Sequence, residues 1–218
     1  MSNRTPGVYD PGAVALGRKE NVIVEGMCNR LKADLQALGH QVLLTQGALT
    51  TRDDTALKWG ANLLVSIHCN AGGGTGTEVF IDTRASTIAK KVAGYAASAI
   101  SSAIGRPNRG VKVKDFAVLR ANPNDCLIEM FFIDSKADLD AYMKNVDKVE
   151  LCILNAILLG FGLAAQSTLP RIAVPYETYY EVRVHTSASE LPEYKALCAA
   201  NGDFVKYVKT TQDSWKDW

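Results

Sequence analysis

The feature that most constrains this chain is the way its apolar residues change period between residues 20 and 165. Ile23, Met27, Leu31, Leu35 and Leu38 recur at helical spacing, which predicts a helix over 20–38 with one buried stripe, and Gly39 supplies a C-terminal stop. Short apolar runs at 41–45, 63–68, 77–81, 116–119 and 126–132 read as strands. Residues 53–60 read as a helical turn, and the run Gly72-Gly73-Gly74-Thr75-Gly76 as a loop. Ile88, Val92, Tyr95, Ala99 and Ile100 mark a second long amphipathic helix over 85–104, and a last one is expected over 142–165. Ser135, with Asp138 three residues on, resembles a capping-box start to a short helix. Strands alternating with helices predict an α/β fold, a largely parallel twisted sheet flanked by helices.

Two polar side chains stand out against this frame. Glu129 sits inside Leu127-Ile128-Glu129-Met130-Phe131-Phe132. A carboxylate in an apolar strand is costly unless it is paired or lines a cavity, and burial lifts its pKa toward the range a general acid or base needs. The alternative is an edge-strand glutamate facing water. His68 closes the apolar strand 63–68, and in open α/β sheets sites gather at the carboxyl ends of strands. It reads either as a structural residue or as a neutral imidazole offered to a metal. Glu20 opens the first helix, where the macrodipole alone favours an acid.

Residues 10–20 (DPGAVALGRKE), 66–71 (SIHCNA), 76–80 (GTEVF), 108–112 (NRGVK), 116–120 (FAVLR) and 127–135 (LIEMFFIDS) resemble, in order and near-native spacing, the zinc-dependent N-acetylmuramoyl-L-alanine amidases often termed amidase type 3. The resemblance covers about the first 150 residues. It implies that Glu20 and His68 are zinc ligands and that Glu129 is the catalytic glutamate. It also places Asn70 at a recurrent position that shapes the site or binds substrate, and Arg109 and Arg120 at family positions where a substrate contact and a structural role are equal alternatives. The implied cofactor is Zn2+, and the implied substrate is peptidoglycan, cut between N-acetylmuramic acid and L-alanine. Such a zinc site has three protein ligands and an open position for water, whose pKa the metal lowers.

The family opens with a buried strand and a Gly-His-Gly-like turn carrying the first ligand, whereas residues 1–9 hold no histidine and no apolar strand. The expectation is an N-terminally incomplete domain whose first strand and ligand lie upstream of Met1. The alternative is a variant that has lost zinc affinity or recruits His185. Activity as an amidase is weighed against a degenerate, non-catalytic domain that binds wall or regulates a partner, and against another zinc hydrolase such as a carboxypeptidase.

The amidase-type domain is expected over 1–165, a linker with Pro170 and Pro175 over 166–176, and a short α+β segment over 177–218. With 24 Lys and Arg against 23 Asp and Glu, the net charge of +1 gives no bulk attraction to nucleic acid. The five cysteines form no Cys-x-x-Cys pair and read as reduced thiols. The longest apolar run, residues 151–165, spans 15 residues where a membrane helix needs about 20. No signal peptide is visible at the N-terminus, and a monomer acting at the cell wall is expected, as a phage lysin or an autolysin.

Overall fold

The computed structural model describes residues 11–45, 55–120 and 122–170. The chain divides after Pro170, and every described residue belongs to the first unit. The expected segment 177–218, His185 and Cys198 lie outside the described residues, as does most of the expected linker.

A two-stranded antiparallel ribbon, β1 (Val14–Ala15) with β2 (Arg18–Lys19), leads directly into helix α1 (Glu20–Ala37). Strands β3 (Val65–Asn70) and β4 (Thr77–Ile81) precede helix α2 (Thr87–Ile104). Strand β5 (Asn108–Val113), a 3-10 turn at Ala117–Leu119 and strand β6 (Cys126–Phe132) follow. Helices α3 (Lys136–Lys144) and α4 (Val146–Gly160) close the described unit. The four longer strands form one sheet in the order β3-β6-β4-β5. The β3–β6 and β4–β5 pairs are parallel and the central β4–β6 pair is antiparallel, so the sheet is mixed.

Side-chain alternation along the strands sorts the sheet into two unlike faces. Ile67 and Cys69 of β3, Val79 and Ile81 of β4, and Cys126, Ile128 and Met130 of β6 enter one large apolar core. Helix α2 adds Val92, Ala93, Ala96 and Ile100 to that core, α4 adds Ile153 and Leu154, and α1 adds Met27 and Leu31. Burying a side chain of this size contributes roughly 1.5–3 kcal/mol. Helices α2 and α4 approach closely because residue 160 has no side chain: a Cβ there would lie 2.3 Å from Val92 Cγ2.

The register puts Ser66 opposite Leu127, His68 opposite Glu129, Glu78 opposite Glu129, and Phe80 opposite both Leu127 and Lys112. These residues therefore share the second face. Its apolar part is small: Phe80, Leu119 and Leu127 with Val118, and Phe116 edge-on to Phe80 at 5.1 Å between centroids. Beyond Glu129 the β3–β6 register shifts, with Asn70 opposite Phe132. This bulge turns both Met130 and Phe131 into the core, where Phe131 stacks on Tyr142 at 4.4 Å, and returns Phe132 to the second face beside Asn70.

Several elements differ from the reading of the sequence. Residues 41–45 are irregular rather than a strand, and the expected strand at 116–119 is the 3-10 turn. Strand β5 lacks an apolar run because it is a sheet edge with exposed polar positions. The last helix is interrupted at Asn145, whose Nδ2 donates to Ala141 O, and ends at Gly160. Asn155 holds the chain beyond that end, donating to Gln166 O at 2.9 Å and accepting from Gln166 N at 2.7 Å. Among the described residues Cys28, Cys69, Cys126 and Cys152 are free thiols.

Candidate active site

Glu20 owes its position to a tight turn. Glycines 12 and 17 and Leu16 have positive φ around the β1–β2 ribbon, which delivers the chain into α1 at Glu20. Its carboxylate turns back: Oε2 accepts from Ala13 N at 2.7 Å, and Oε1 accepts from Cys69 N at 3.2 Å. Gly12 is required beneath it, since a Cβ there would stand 2.4 Å from Glu20 Oε2 at φ +68°.

Strand β3 brings His68 to the same point, with Nδ1 2.8 Å from Glu20 Oε1. A carboxylate only accepts, so Nδ1 carries the proton. In the neutral ring Nε2 then accepts from the Ser66 hydroxyl, 2.9 Å away. Burial works to raise the Glu20 pKa, but the bonds from His68 and from two backbone amides outweigh it and the carboxyl falls below its ordinary value.

Glu129 lies across the strand pair from His68. Its Oε2 is buried and has no hydrogen-bond partner among the described residues. Burial lifts its pKa from 4.5 to about 7; the His68 ring opposes this, and the neighbouring Glu20 and Glu78 carboxylates add to it. A carboxyl at that value, across the strands from an imidazole, suits proton transfer near neutrality.

On the other side of Glu129, Glu78 gathers the remaining polar groups. Asn70 Nδ2 donates to its Oε1 at 2.7 Å, Arg109 Nε donates to its Oε2 at 2.5 Å, and Lys112 Nζ donates to the same oxygen. Arg109 also lies over the Phe132 ring, 5.0 Å from the centroid. Asn70 Oδ1 accepts from Ala71 N at 2.8 Å. Arg120 is elsewhere, in an exposed pair with Asp115.

Glu20, His68, Glu129, Asn70 and Arg109 are thus brought to one end of one sheet face. The sequence reading left Glu78 without a role, although it stands in an apolar strand just as Glu129 does and the same desolvation argument applies to it. Lys112 carries no distinguishing pattern in the sequence; only the fold brings it to Glu78. Gly12 gave no signal until the position of Glu20 was known.

Imidazole nitrogen and carboxylate oxygen are the donor types zinc accepts. Glu20 and His68 converge, and Glu129, with its unpartnered oxygen, is the cross-strand neighbour of His68. The donor types therefore suit the metal, and Glu20 and His68 supply two of them. No group of three His, Cys, Asp or Glu side chains that could hold a metal occurs among the described residues.

The family model described as N-acetylmuramoyl-L-alanine amidase matches residues 6–158. A sporulation-specific N-acetylmuramoyl-L-alanine amidase of Bacillus subtilis (strain 168) is 33% identical over 142 residues, which cover 61% of this chain and 55% of that protein. An N-acetylmuramoyl-L-alanine amidase of Bacillus licheniformis is 34% identical over 144 residues, covering 62% and 56%. The chain spans about half the length of the curated relatives it matches. Among solved structures, the N-acetylmuramoyl-L-alanine amidase from Clostridium difficile 630 superposes with a TM-score of 0.64 at 25% identity, over 72% of this chain and 92% of that one. The catalytic domain of an amidase from Bacillus (Paenibacillus) polymyxa shares the fold, with a TM-score of 0.64 at 23% identity over 73% and 95% of the two chains. On sequence and fold together, this chain belongs to the N-acetylmuramoyl-L-alanine amidase family.

Proposed function

We propose that this chain hydrolyses the amide between the lactyl carbonyl of N-acetylmuramic acid and the amino group of L-alanine in peptidoglycan. The observation that carries this reading is Glu129: a half-buried carboxyl with a buried, unpartnered Oε2, lifted to about 7, directly across the strands from His68 and its partner Glu20. Glu20 and His68 would hold a zinc ion, which when bound supplies a Lewis acid and an acidified water. Glu129 takes a proton from the attacking water and returns it to the departing amine. Glu20 is held by Ala13 N and Cys69 N, so its carboxylate is oriented before any ligand arrives. The site of action is the wall, outside the cytoplasm. Among the described residues no helix is long and apolar enough to cross a membrane.

Incubation with purified peptidoglycan tests the reading. Free alanine amino termini and unsubstituted muramic lactyl groups are the expected products. Release of a C-terminal amino acid instead would identify a carboxypeptidase. Glu129→Gln is expected to slow cleavage at least about a hundredfold with the circular dichroism spectrum unchanged; undiminished cleavage overturns the role given to Glu129. A second reading, a wall-binding domain without catalysis, draws on the donor count of two. It expects retention on insoluble wall with no product released.

A further inference from the structure

The two cations at Glu78 are more than its counter-ions require. Glu78 is buried, with 6% of its side chain exposed, yet Arg109 and Lys112 both donate to its single oxygen Oε2. Each of these cations keeps 36% of its side chain open to solvent. One carboxylate satisfies one charge, so the cluster carries a net positive charge. Both cations are anchored on Glu78 and stay partly open to solvent.

The backbone aims it. Between β4 and β5 the register shifts: Thr77 faces Asn108 and Val79 faces Val111, so β5 carries an extra residue next to Glu78. Gly110, at φ +78°, takes the conformation this bulge needs and lets Arg109 turn onto the face that holds Lys112. The guanidinium is then fixed by the Phe132 ring at 5.0 Å and by Thr75 O at 3.5 Å from its Nη1. The Lys112 ammonium lies 5.8 Å from the centre of the Phe80 ring. Glu78, the base of the cluster, is the direct cross-strand neighbour of Glu129.

A rigid guanidinium beside a flexible ammonium, half-open to water and pre-positioned by aromatic rings, is a recognition site for a carboxylate. We propose that Arg109 and Lys112, held by Glu78, bind a free carboxylate on the peptide part of the substrate and so select acidic over amidated wall peptides. This rests on the amidase reading only for the identity of the peptide. The site itself recognises charge, and binding to it needs no cleavage.

The test is calorimetric titration of the chain with N-acetylmuramoyl-L-alanyl-glutamate and with the same compound bearing both carboxylates as amides. The acidic compound is expected to bind about tenfold more tightly, with the difference shrinking as salt rises. In the Arg109→Gln/Lys112→Gln double variant, its fold checked by circular dichroism, that difference is expected to vanish. Lys112→Gln alone leaves Arg109 on Glu78, and is expected to fold as wild type and remove part of it. Arg109→Lys restores the charge without the planar fork and is expected to recover only part of the selectivity. Equal binding of the two compounds by wild type overturns the proposal, as does selectivity that survives in the double variant. Binding of neither compound overturns it as well. Cleavage of whole wall, measured separately, decides the amidase reading: selective binding without cleavage removes only that reading, and cleavage without selective binding removes only this site.

Discussion

Replacing Gly12 by alanine adds one methyl group, 2.4 Å from Glu20 Oε2, at a φ of +68°. The carboxylate must move, and its bonds to Ala13 N and His68 go with it. Gly17→Ala is the matched control: φ is +72° and nothing stands within 4 Å. Both variants are expected to lose about 1–2 kcal/mol from backbone strain in a urea melt. Only Gly12→Ala is expected to weaken zinc binding, by roughly tenfold or more in equilibrium dialysis. Equal zinc affinity in the two variants would remove Glu20 from the metal site. Glu129 gives a second prediction, in metal-free protein. Its folded pKa of about 7 stands above the ordinary 4.5, so its contribution to stability is fully present below about pH 4.5 and is lost as the pH rises through about 7. Glutamine never ionises, so Glu129→Gln is expected to gain on wild type by on the order of 1–3 kcal/mol between about pH 4.5 and 8. A pH-independent difference between the two melts would show that Glu129 titrates normally. These two residues also mark what is legible at this scale. Glu129 stands out, because a carboxylate in an apolar strand needs a reason, whereas His68 at the end of a strand reads equally as a structural residue until the resemblance is added. Glu20 does not stand out: a first-turn acid is ordinary, and its role rests on a contact 48 positions away in sequence.

At the scale of elements, the loop between β3 and β4 is held by two carboxylates from the turn and helix after β6. Asp134 Oδ2 accepts from Gly72 N and Gly73 N at 2.7 and 2.8 Å. Asp138 is fully buried and accepts from Thr75 Oγ1, Gly76 N, Phe132 N and Arg106 Nε. Asp138→Ala leaves the partly buried Arg106 and two backbone amides without their acceptor, and is expected to destabilise by about 3–5 kcal/mol in chemical denaturation. Ser135→Ala removes only the cap on Asp138 N and is expected to cost about 1 kcal/mol. A similar cost for both would mean that the buried network carries no special weight. The sequence pointed to the Ser135 cap but not to this network. A capping box would send the Asp138 side chain back to Ser135 N, yet that amide donates to Phe132 O and the carboxylate serves the loop instead. Local spacing shows that a helix begins here; it does not show which distant donors its first turn collects.

Across the described unit, the alternation of helix and strand periods foretold the class of fold and most of its long elements. It missed the direction of the central pair. Nothing local distinguishes a strand that enters the sheet upward from one that enters downward, and β4 runs against β6. Strand β5 was hidden for another reason: at a sheet edge its residues alternate half-buried with exposed, and charge there is no penalty. The contact between α2 and α4 gives the test at this scale. Gly160→Val would place a branched side chain against Val92, 2.3 Å from the first carbon, and is expected to cost about 1–3 kcal/mol with a lowered melting temperature. Glycine 94, on α2 with open space beside it, is the control, and Gly94→Ala is expected to stabilise by up to about 1 kcal/mol.

The division of the sheet into a helix-covered face and a face that carries the polar cluster has a consequence for how such a chain can drift. Along β3, β4 and β6, successive codons up to the bulge answer to different demands, one to the density of the core and the next to the chemistry of the opposite face. Substitutions at one set leave the other nearly untouched, so binding preference and thermal tolerance can change on separate clocks. Frame is the shared vulnerability. Loss of one residue from β6 ahead of Glu129 would turn its carboxylate into the oily layer beneath α2 and bring Met130 out into its place.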